Sequence, residues 1–328
     1  MAAVLDVKDL TVSFALHDHD LVAVDHLSFS VSPGETLAVV GESGSGKSQA
    51  FLSIMGLLAR NGRASGHAIL DGVDLIGLPP SQLDAYRGRD IAMIFQDPMT
   101  SLNPYLRIGQ QMSEVLVQHK QMSKKKARAD AIRMLDAVKL ADASGIFERY
   151  PHECSGGMRQ RIMIAMALLC RPKVLIADEP TTALDVTVQA QMLELFSSLT
   201  DEFGTALVII THDLGVVAGL ADRMMVVYAG RAVETGTVEQ LFYDPHHPYT
   251  LGLLNSTPHV ETRARRLNTI SGSPPNLEHL PRGCPFNPRC AYRCDRCFAE
   301  RPALTPFGEG RAKACFYGAP LVQAEEVA

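Results

Sequence analysis

The chain has 328 residues, of which 46% are hydrophobic and 20% are charged, so it is long enough for two or three packed units. Its net charge of -5 argues against a broad nucleic-acid-binding surface, which normally needs an excess of basic residues. The longest apolar run, residues 162–170, is much shorter than the roughly 20 residues of a membrane-spanning helix. The first residues also lack the basic and apolar regions of a secretory signal. We therefore expect a globular protein that is not itself a membrane pore.

Alternating and apolar segments predict strands along the first hundred residues. Polar and apolar residues alternate in residues 4–14 and 26–32, as they do in antiparallel strands. Short apolar runs at residues 35–40, 66–72 and 91–97 predict three further strands.

The pattern becomes helical between residues 107 and 140. Within this stretch, Ser123 is the expected N-cap of a helix. The apolar face of that helix is expected to carry Ala131, Met134, Leu135 and Val138.

Strand-like and helix-like segments alternate in the next part of the chain. Residues 174–178, 206–210 and 224–229 have the apolar runs of buried strands, and residues 187–203 are helix-like. This alternation predicts an α/β fold with a largely parallel sheet.

One glycine-rich segment has the pattern of a phosphate-binding loop. Residues 41–48, GESGSGKS, match G-x-x-x-x-G-K-[ST] between a predicted strand and a helix-like run. Its glycines allow the backbone N–H groups to approach phosphate oxygens. Lys47 is expected to bridge the β- and γ-phosphates, and the Ser48 hydroxyl to bind Mg²⁺. The residues expected to contact the nucleotide here are Gly41, Ser43, Gly44, Ser45, Gly46, Lys47, Ser48 and Gln49.

Polar side chains follow several of the predicted strands. Asp178 ends one strand and is expected to bind Mg²⁺, and the adjacent Glu179 is expected to polarise the attacking water. Gln96 ends a comparable strand and is expected to order both the metal ion and the water. His212 follows another strand and is expected to contact the γ-phosphate, although a lone histidine is often only a surface or core residue.

A second anion-binding feature lies at residues 155–161, SGGMRQR. A serine and two glycines open an apolar helix there, and a helix N-terminus attracts anions. One chain therefore has a single lysine-bearing loop but two helix starts suited to phosphate.

These motifs together resemble the ATP-binding cassette (ABC) family over residues 4–235. The resemblance implies a P-loop NTPase (RecA-like) cassette with an antiparallel β subdomain and a helical subdomain. It also implies that two cassettes dimerise head to tail, so that Ser155, Gly156 and Gly157 contact the nucleotide of the other subunit. By the same resemblance Asp185 couples the two sites and Phe14 stacks on adenine, although a strand phenylalanine is more often a core residue.

The resemblance predicts three domains. Residues 1–96 and 166–238 are the expected nucleotide-binding core, and residues 97–165 the helical subdomain with the signature loop. Residues 239–328 are the expected C-terminal extension, a small irregular domain that contains a cysteine cluster. Eleven of the 19 prolines lie beyond Asp244, which agrees with few regular elements there.

Three segments narrow the resemblance to one branch of the family. Residues 95–104, 177–191 and 244–258 are similar to the ATPase subunits of bacterial peptide and nickel importers, and especially to the first ATPase subunit of dipeptide importers. This branch implies ATP-driven uptake of dipeptides or oligopeptides at the cytoplasmic face of the inner membrane. The implied partners are a second, paralogous ATPase, two permease subunits and an extracytoplasmic binding protein, with no nucleic acid.

Other functions remain open at this point. Nickel or another small solute is an alternative substrate within the same branch. A non-transport ABC ATPase that acts on nucleic acid or ribosomes is a second alternative, but the chain has one phosphate loop and no sustained heptads. An ATP-binding redox regulator without turnover is a third, and Glu179 and His212 argue against it.

Five of the seven cysteines lie near the C-terminus, at positions 284, 290, 294, 297 and 315. By resemblance to the same branch, Cys284, Cys290, Cys297 and Cys315 are expected to bind a [4Fe–4S] cluster. The close pair Cys294 and Cys297 instead suits a zinc site, and free thiols are the third interpretation. In a proline-rich segment, a metal cross-link would supply folding free energy.

Overall fold

The computed structural model describes residues 2–96, 102–181, 186–256, 270–318 and 321. The chain divides into two compact units. Unit 1 consists of Met1–Leu5, Val31–Glu35 and Leu78–Ile209, and unit 2 of Asp6–Ser30, Thr36–Gly77 and Ile210–Ala328.

The described residues form twelve strands, of which the fifth, eleventh and twelfth have only two residues each. In chain order the strands are β1 (Leu5–Ala15), β2 (Asp20–Val31), β3 (Thr36–Val40), β4 (Gly62–Leu70), β5 (Val73–Asp74), β6 (Ile91–Ile94), β7 (Val174–Asp178), β8 (Ala206–Thr211), β9 (Arg223–Tyr228), β10 (Arg231–Thr237), β11 (Thr305–Pro306) and β12 (Ala312–Lys313).

The same residues form eleven α-helices, together with a few single 3₁₀ turns. The helices are α1 (Lys47–Ile54), α2 (Pro80–Leu83), α3 (Ile108–Lys120), α4 (Lys124–Ala137), α5 (Ala143–Glu148), α6 (Gly156–Leu168), α7 (Val186–Phe203), α8 (Leu214–Leu220), α9 (Val238–Tyr243), α10 (Pro248–Asn255) and α11 (Arg296–Ala299). None of the helices in the described ranges has both the length and the apolar character needed to cross a bilayer.

Unit 2 contains both antiparallel and parallel pairing. The strands β2, β1, β4 and β5 form a four-stranded sheet in that order. Strand β3 pairs in parallel with β9, with Val40 opposite Val226, and β9 pairs in antiparallel with β10. All five residues of β3 are buried, as expected for a strand of a parallel sheet that is covered on both faces. The phosphate-binding motif connects β3 to α1.

Unit 1 contains a second parallel pair and a group of helices. Strand β6 pairs in parallel with β7, with Ile91 opposite Val174, so that both strands end at the same edge. Helix α4 is capped by Ser123, whose hydroxyl accepts the N–H of Lys126, as its sequence predicts. The four apolar residues expected on its inner face are all buried.

Helix α10 lies in the predicted extension of residues 239–328, and the described residues after 270 form only short elements. A separate cysteine-rich C-terminal domain is not supported. These residues belong to unit 2, the same compact unit as the phosphate loop. A ring cluster explains the attachment, since Phe286 packs edge-on against Tyr228 at 5.2 Å and also contacts Tyr249 at 5.4 Å. Strand β12 also pairs with β10, which adds backbone hydrogen bonds to this attachment.

Candidate active site

The phosphate loop has a backbone that only glycine permits at two of its positions. Gly41 and Gly46 have φ angles of 154° and 96°. A Cβ atom on Gly41 would lie 2.2 Å from the carbonyl oxygen of Val227, and one on Gly46 would lie 2.2 Å from that of Ala23. Close backbone packing therefore accounts for these two glycines of the motif.

The ammonium group of Lys47 lies in the centre of the loop. Nζ donates to the carbonyl oxygens of Gly41 at 2.7 Å and Glu42 at 2.9 Å, and to Ser45 Oγ at 3.3 Å. Lys47 is buried and is also the first residue of α1. The loop thus combines a cation with a helix N-terminus, which together attract a phosphate group.

The other predicted residues of the loop differ in exposure. Ser45 is buried, Ser43 and Gly44 are exposed, and Ser48 and Gln49 are half-buried on the first turn of α1. The loop therefore presents its exposed residues beside a buried cation, as a site for a large anion requires.

Two predicted catalytic side chains meet in unit 1. Gln96 lies two residues beyond the end of β6, and Glu179 directly follows β7. Gln96 Nε2 donates to Glu179 Oε2 at 2.9 Å. The contact forms because β6 and β7 are parallel neighbours that end at the same edge. Glu179 has a φ of 46°, a backbone conformation that costs a non-glycine residue about 1–3 kcal/mol and occurs often at functional sites.

Asp178 and His212 also lie where the sequence predicts them. Asp178 is the buried last residue of β7 in unit 1. His212 is an exposed residue of unit 2 that directly follows β8. Next to it, Asp213 caps α8 by accepting the N–H of Gly215 at 2.8 Å, which fixes the backbone at this strand end.

The signature loop begins helix α6 in unit 1. Ser155 is the N-cap, and its hydroxyl accepts the N–H of Met158 at 3.3 Å. A Cβ atom on Gly156 would meet no atom of the described chain within 4 Å, and one on Gly157 would touch only Val188. The packing of the described residues therefore does not require these glycines, which agrees with a group from outside that approaches the helix start closely.

Two predicted residues add little to this geometry. Phe14 is half-buried on β1, and its ring lies against Gly62. Asp185 lies outside the described residues.

Sequence reasoning missed a contact on the second residue of the loop. The guanidinium of Arg289 binds both carboxylate oxygens of Glu42, with Nη1–Oε2 and Nη2–Oε1 distances of 2.6 and 2.9 Å. The backbone N–H of Glu42 donates to the hydroxyl of Tyr249 at 2.7 Å. Hydrogen bonding to Glu42 raises the pKa of Arg289 above its usual value, so the arginine stays charged. The sequence shows Arg289 in the segment GCPFNPRC, but no motif links this arginine to Glu42.

The predicted cluster ligands are neighbours without forming a metal site. The pKa of Cys290 is raised to about 11, mainly by burial and to a smaller extent by the nearby thiols of Cys315, Cys284 and Cys297. Cys294 Sγ and Cys297 Sγ are 3.6 Å apart. Within the described residues, however, no three side chains of His, Cys, Asp or Glu converge to hold a metal ion. The structure therefore supports neither the expected iron–sulfur cluster nor the zinc alternative.

Two family models match the chain. The model described as ABC transporter matches residues 24–182. The model described as Oligopeptide/dipeptide transporter, C-terminal region, matches residues 233–297. The first match includes the phosphate loop and Glu179, and the second includes Tyr249 and Arg289.

Similar proteins extend the match to nearly the whole chain. The oligopeptide transport ATP-binding protein OppD of Escherichia coli (strain K12) is 56% identical over 314 residues, 96% of this chain and 93% of the relative. The oligopeptide transport ATP-binding protein AppD of Bacillus subtilis (strain 168) is 50% identical over 322 residues, 96% and 97%. The dipeptide transport ATP-binding protein DppD of the same organism is 50% identical over 303 residues, 91% and 90%.

Solved structures confirm the predicted cassette fold. A dimeric ATP-binding cassette in a post-hydrolysis state, bound to ADP and Pi, matches with a TM-score of 0.64 at 26% identity. That match covers 71% of this chain and 98% of the other. CbiO1 from Clostridium perfringens, part of an ABC transporter complex, matches with a TM-score of 0.62 at 26% identity, covering 74% and 91%.

Proposed function

This chain belongs to the oligopeptide and dipeptide transport ATP-binding proteins of the ABC transporter family, and from that premise we propose that it drives peptide uptake by hydrolysing ATP. ABC proteins of this kind are ATPases, so the reaction is transfer of the γ-phosphoryl group of ATP to water. In such a reaction the protein mainly positions the reactants and stabilises charge.

Lys47 and the residues around it bind the phosphates in this proposal. The buried ammonium exchanges its loop carbonyl partners for β- and γ-phosphate oxygens, and the start of α1 adds backbone N–H groups. The Ser48 hydroxyl, the Gln96 amide oxygen and the Asp178 carboxylate are hard oxygen donors, which suit Mg²⁺. Mg²⁺, when bound, neutralises charge on the phosphate oxygens.

The hydrogen bond between Gln96 and Glu179 is the observation that carries the catalytic assignment. Because Gln96 donates through its amide nitrogen, its carbonyl oxygen is the atom that can bind the cation. The same bond holds the Glu179 carboxylate at the edge of the sheet, next to Asp178. Glu179 can then accept a proton from the attacking water. The carbonyl oxygen of Gln96 would help to hold Mg²⁺. His212 stabilises the γ-phosphate.

The complete site in this proposal contains two cassettes. Ser155, Gly156 and Gly157 cover the nucleotide of a second, paralogous ATPase subunit, and Asp185 couples the two sites. The open space around Gly156 supports close approach of a phosphate at that helix start. Phe14 stacks on the adenine ring.

The complex in this proposal lies at the cytoplasmic face of the inner membrane. Two permease subunits carry the peptide across, and an extracytoplasmic binding protein delivers it. The names of the relatives, which are oligopeptide and dipeptide transport proteins, support peptides rather than nickel as the substrate.

An iron–sulfur centre on Cys284, Cys290, Cys297 and Cys315 stays a prediction. It rests on the cysteine spacing of the sequence and not on the geometry of the described residues, in which no three metal-binding side chains converge. Iron, acid-labile sulfide and zinc are to be measured on the chain purified without oxygen. About four irons per chain with matching sulfide would establish the cluster. Stoichiometric zinc, or neither metal, would refute it.

The transport function is tested by uptake in a bacterial strain that lacks its own peptide-import ATPases. The strain carries the cognate permeases, binding protein and second ATPase, with this chain either wild type or Glu179→Gln. We expect uptake of a labelled tripeptide with the wild type only, because Glu179→Gln removes the base without removing the amide contact.

Nickel uptake in the same strains is the control for substrate class. Nickel uptake without peptide uptake would contradict the peptide assignment. Equal peptide uptake by the wild type and Glu179→Gln would contradict the role of the chain as the motor.

A further inference from the structure

The C-terminal residues of unit 2 contact the phosphate loop. Arg289 binds Glu42 through two parallel hydrogen bonds, and its side chain is only 5% exposed. The guanidinium also lies near the rings of Tyr228 and Phe286, at 6.0 and 5.9 Å from their centroids. A bidentate pair whose arginine is buried is among the stronger interactions of charged side chains.

The position of Arg289 is set by its neighbours in the cysteine-bearing segment, residues 283–297. Its Nε donates to the carbonyl of Ser271 at 3.0 Å. The neighbouring Asn287 donates to the carbonyls of Arg282 at 2.9 Å and Cys297 at 3.3 Å, which fixes the turn that carries the arginine. The N–H of Cys284 also donates to the Cys297 carbonyl at 2.8 Å.

Residues from the same region lie along the loop itself. Pro274, Pro275 and Leu277 line a small cavity together with the loop residues 42–45. The contact with Arg289 is therefore part of a wider packing of the C-terminal residues on the loop.

A carboxylate inside a phosphate-binding loop is electrostatically unfavourable for the ligand. Glu42 is the second residue of the motif, and its own carbonyl oxygen binds Lys47. An uncompensated charge there would repel the phosphates of ATP over a distance at which solvent screens only partly. The arginine compensates that charge and keeps the carboxylate turned toward the C-terminal residues.

We propose that Arg289 is a positioning residue that neutralises Glu42 and holds it away from the phosphates, so that the cysteine-bearing segment sets the affinity of the loop for ATP. The inference rests on the proposed binding of ATP at residues 41–48. It gives the C-terminal residues a direct role in nucleotide binding, separate from any bound metal.

The test is a set of variants of the full-length chain at the two positions. Affinity is measured from the fluorescence of the methylanthraniloyl derivative of ATP in the presence of Mg²⁺. The protein itself contains no tryptophan. We expect Arg289→Gln to raise the dissociation constant about tenfold, because it exposes the Glu42 charge. The double variant Glu42→Gln with Arg289→Gln should return to within about threefold of the wild type, since no charge is left to repel the phosphates. The loss in Arg289→Gln should also shrink at high salt.

Arg293→Gln is the matched control. Arg293 is an exposed arginine of the same segment that contacts the carbonyl of Asn287, so its replacement should leave the affinity unchanged. Arg289→Lys keeps the charge but loses the bidentate contact, and we expect a smaller loss of affinity. This variant carries the test if Arg289→Gln does not fold, as judged by circular dichroism.

Two outcomes would overturn the inference. One is unchanged affinity in Arg289→Gln and Arg289→Lys. The other is a loss in Arg289→Gln that the double variant does not restore, which would mean that the arginine acts only through the fold. A wild-type chain that does not bind the nucleotide would instead refute the proposed function.

Discussion

Tyr249 shows at the scale of single residues how a distant side chain completes the loop. The residue is fully buried on α10, and its hydroxyl is the acceptor for the N–H of Glu42. Burial raises the pKa of this hydroxyl above its usual value, so it stays neutral at physiological pH. A buried backbone N–H that loses its acceptor costs free energy comparable to a lost hydrogen bond.

Replacing Tyr249 by phenylalanine tests this contact. We expect Tyr249→Phe to lower the free energy of unfolding by about 1–3 kcal/mol, because the ring packing is kept while the Glu42 N–H loses its partner. The measurement is urea denaturation followed by circular dichroism. Tyr243→Phe is the control, since that ring is 81% exposed and its change should stay within about 0.5 kcal/mol. Equal effects of the two variants would show that the buried hydroxyl does not support the loop.

The residues of the site differed in how well the sequence predicted them. Lys47 and the glycines were predictable because the whole motif lies within eight consecutive positions. Gln96 and Glu179 were predicted one by one at strand ends, and the structure brings them into contact. Arg289 and Glu42 are 247 positions apart, and neither belongs to a pattern that names the other. Only the folded chain reveals such a pair.

At the scale of elements, the start of helix α10 is built around two buried ionisable groups. His247 is its N-cap, and Nδ1 accepts the N–H of Tyr249 at 3.1 Å. The carboxylate of Glu234 accepts the N–H groups of His246 and His247 at 2.6 and 3.0 Å. His247 thus serves as a helix-start residue. An imidazole that accepts a backbone N–H must be neutral at that nitrogen.

This helix start predicts a loss of stability in acid. Burial, reinforced by the positive charge of Lys313, lowers the pKa of His247 from 6.5 to about 3. The neutral form therefore contributes stability that is present above the unfolded pKa of 6.5 and is lost as the pH falls toward 3. Between pH 7 and pH 5 this loss is about 2 kcal/mol. It is measured by urea denaturation at both pH values.

His247→Asn separates this effect from the other groups. Asparagine keeps an N-cap acceptor but does not titrate, so the variant should lose about 2 kcal/mol less than the wild type over the same interval. Glu234 titrates in the opposite sense, because burial raises its pKa and its contribution grows as the pH falls. Glu234 is present in both the wild type and the variant, so its contribution to the pH dependence cancels when the two are compared. The same pH dependence in both chains would contradict the assignment to His247.

Most elements were predictable from local patterns, and their boundaries less so. Strand β7 was predicted at its observed residues, because a short apolar run bounded by polar residues is a clear signal. The helical stretch from 107 to 140 contains two helices, α3 and α4, and the second begins after the predicted cap Ser123. Helix α3 ends at Lys120, and the following Gln121 has a φ of 51°, a conformation that a non-glycine residue does not signal in the sequence.

At the scale of the whole molecule, the C-terminal residues share a compact unit with the phosphate loop. The expectation of a separate cysteine-rich domain came from the family resemblance and from the proline-rich composition, neither of which reports long-range packing. The ring cluster of Tyr228, Tyr249 and Phe286 forms only after residues from three parts of the chain meet. The predicted domain boundaries at residues 96, 165 and 238 stay predictions.

The family of the chain was predictable from its motifs, because phosphate binding requires many residues at fixed short spacings. The peptide branch was indicated by longer segments, and the relatives support that substrate class. The metal content of the cysteine segment was not predictable in this way. Ligand spacing permits a cluster, a zinc ion or free thiols, and only a measurement of metal content distinguishes them.

The most direct test of the chain as an ATP-driven motor is ATP hydrolysis by the assembled complex with Glu179→Gln in place of the wild type. Turnover and nucleotide binding are measured on the same preparations. We expect turnover to fall at least about 100-fold while ATP affinity stays within about threefold of the wild type, because Glu179 acts on the water rather than on the bound phosphates. Turnover that continues at the wild-type rate in the variant would contradict the assignment of Glu179 and, with it, the proposed mechanism.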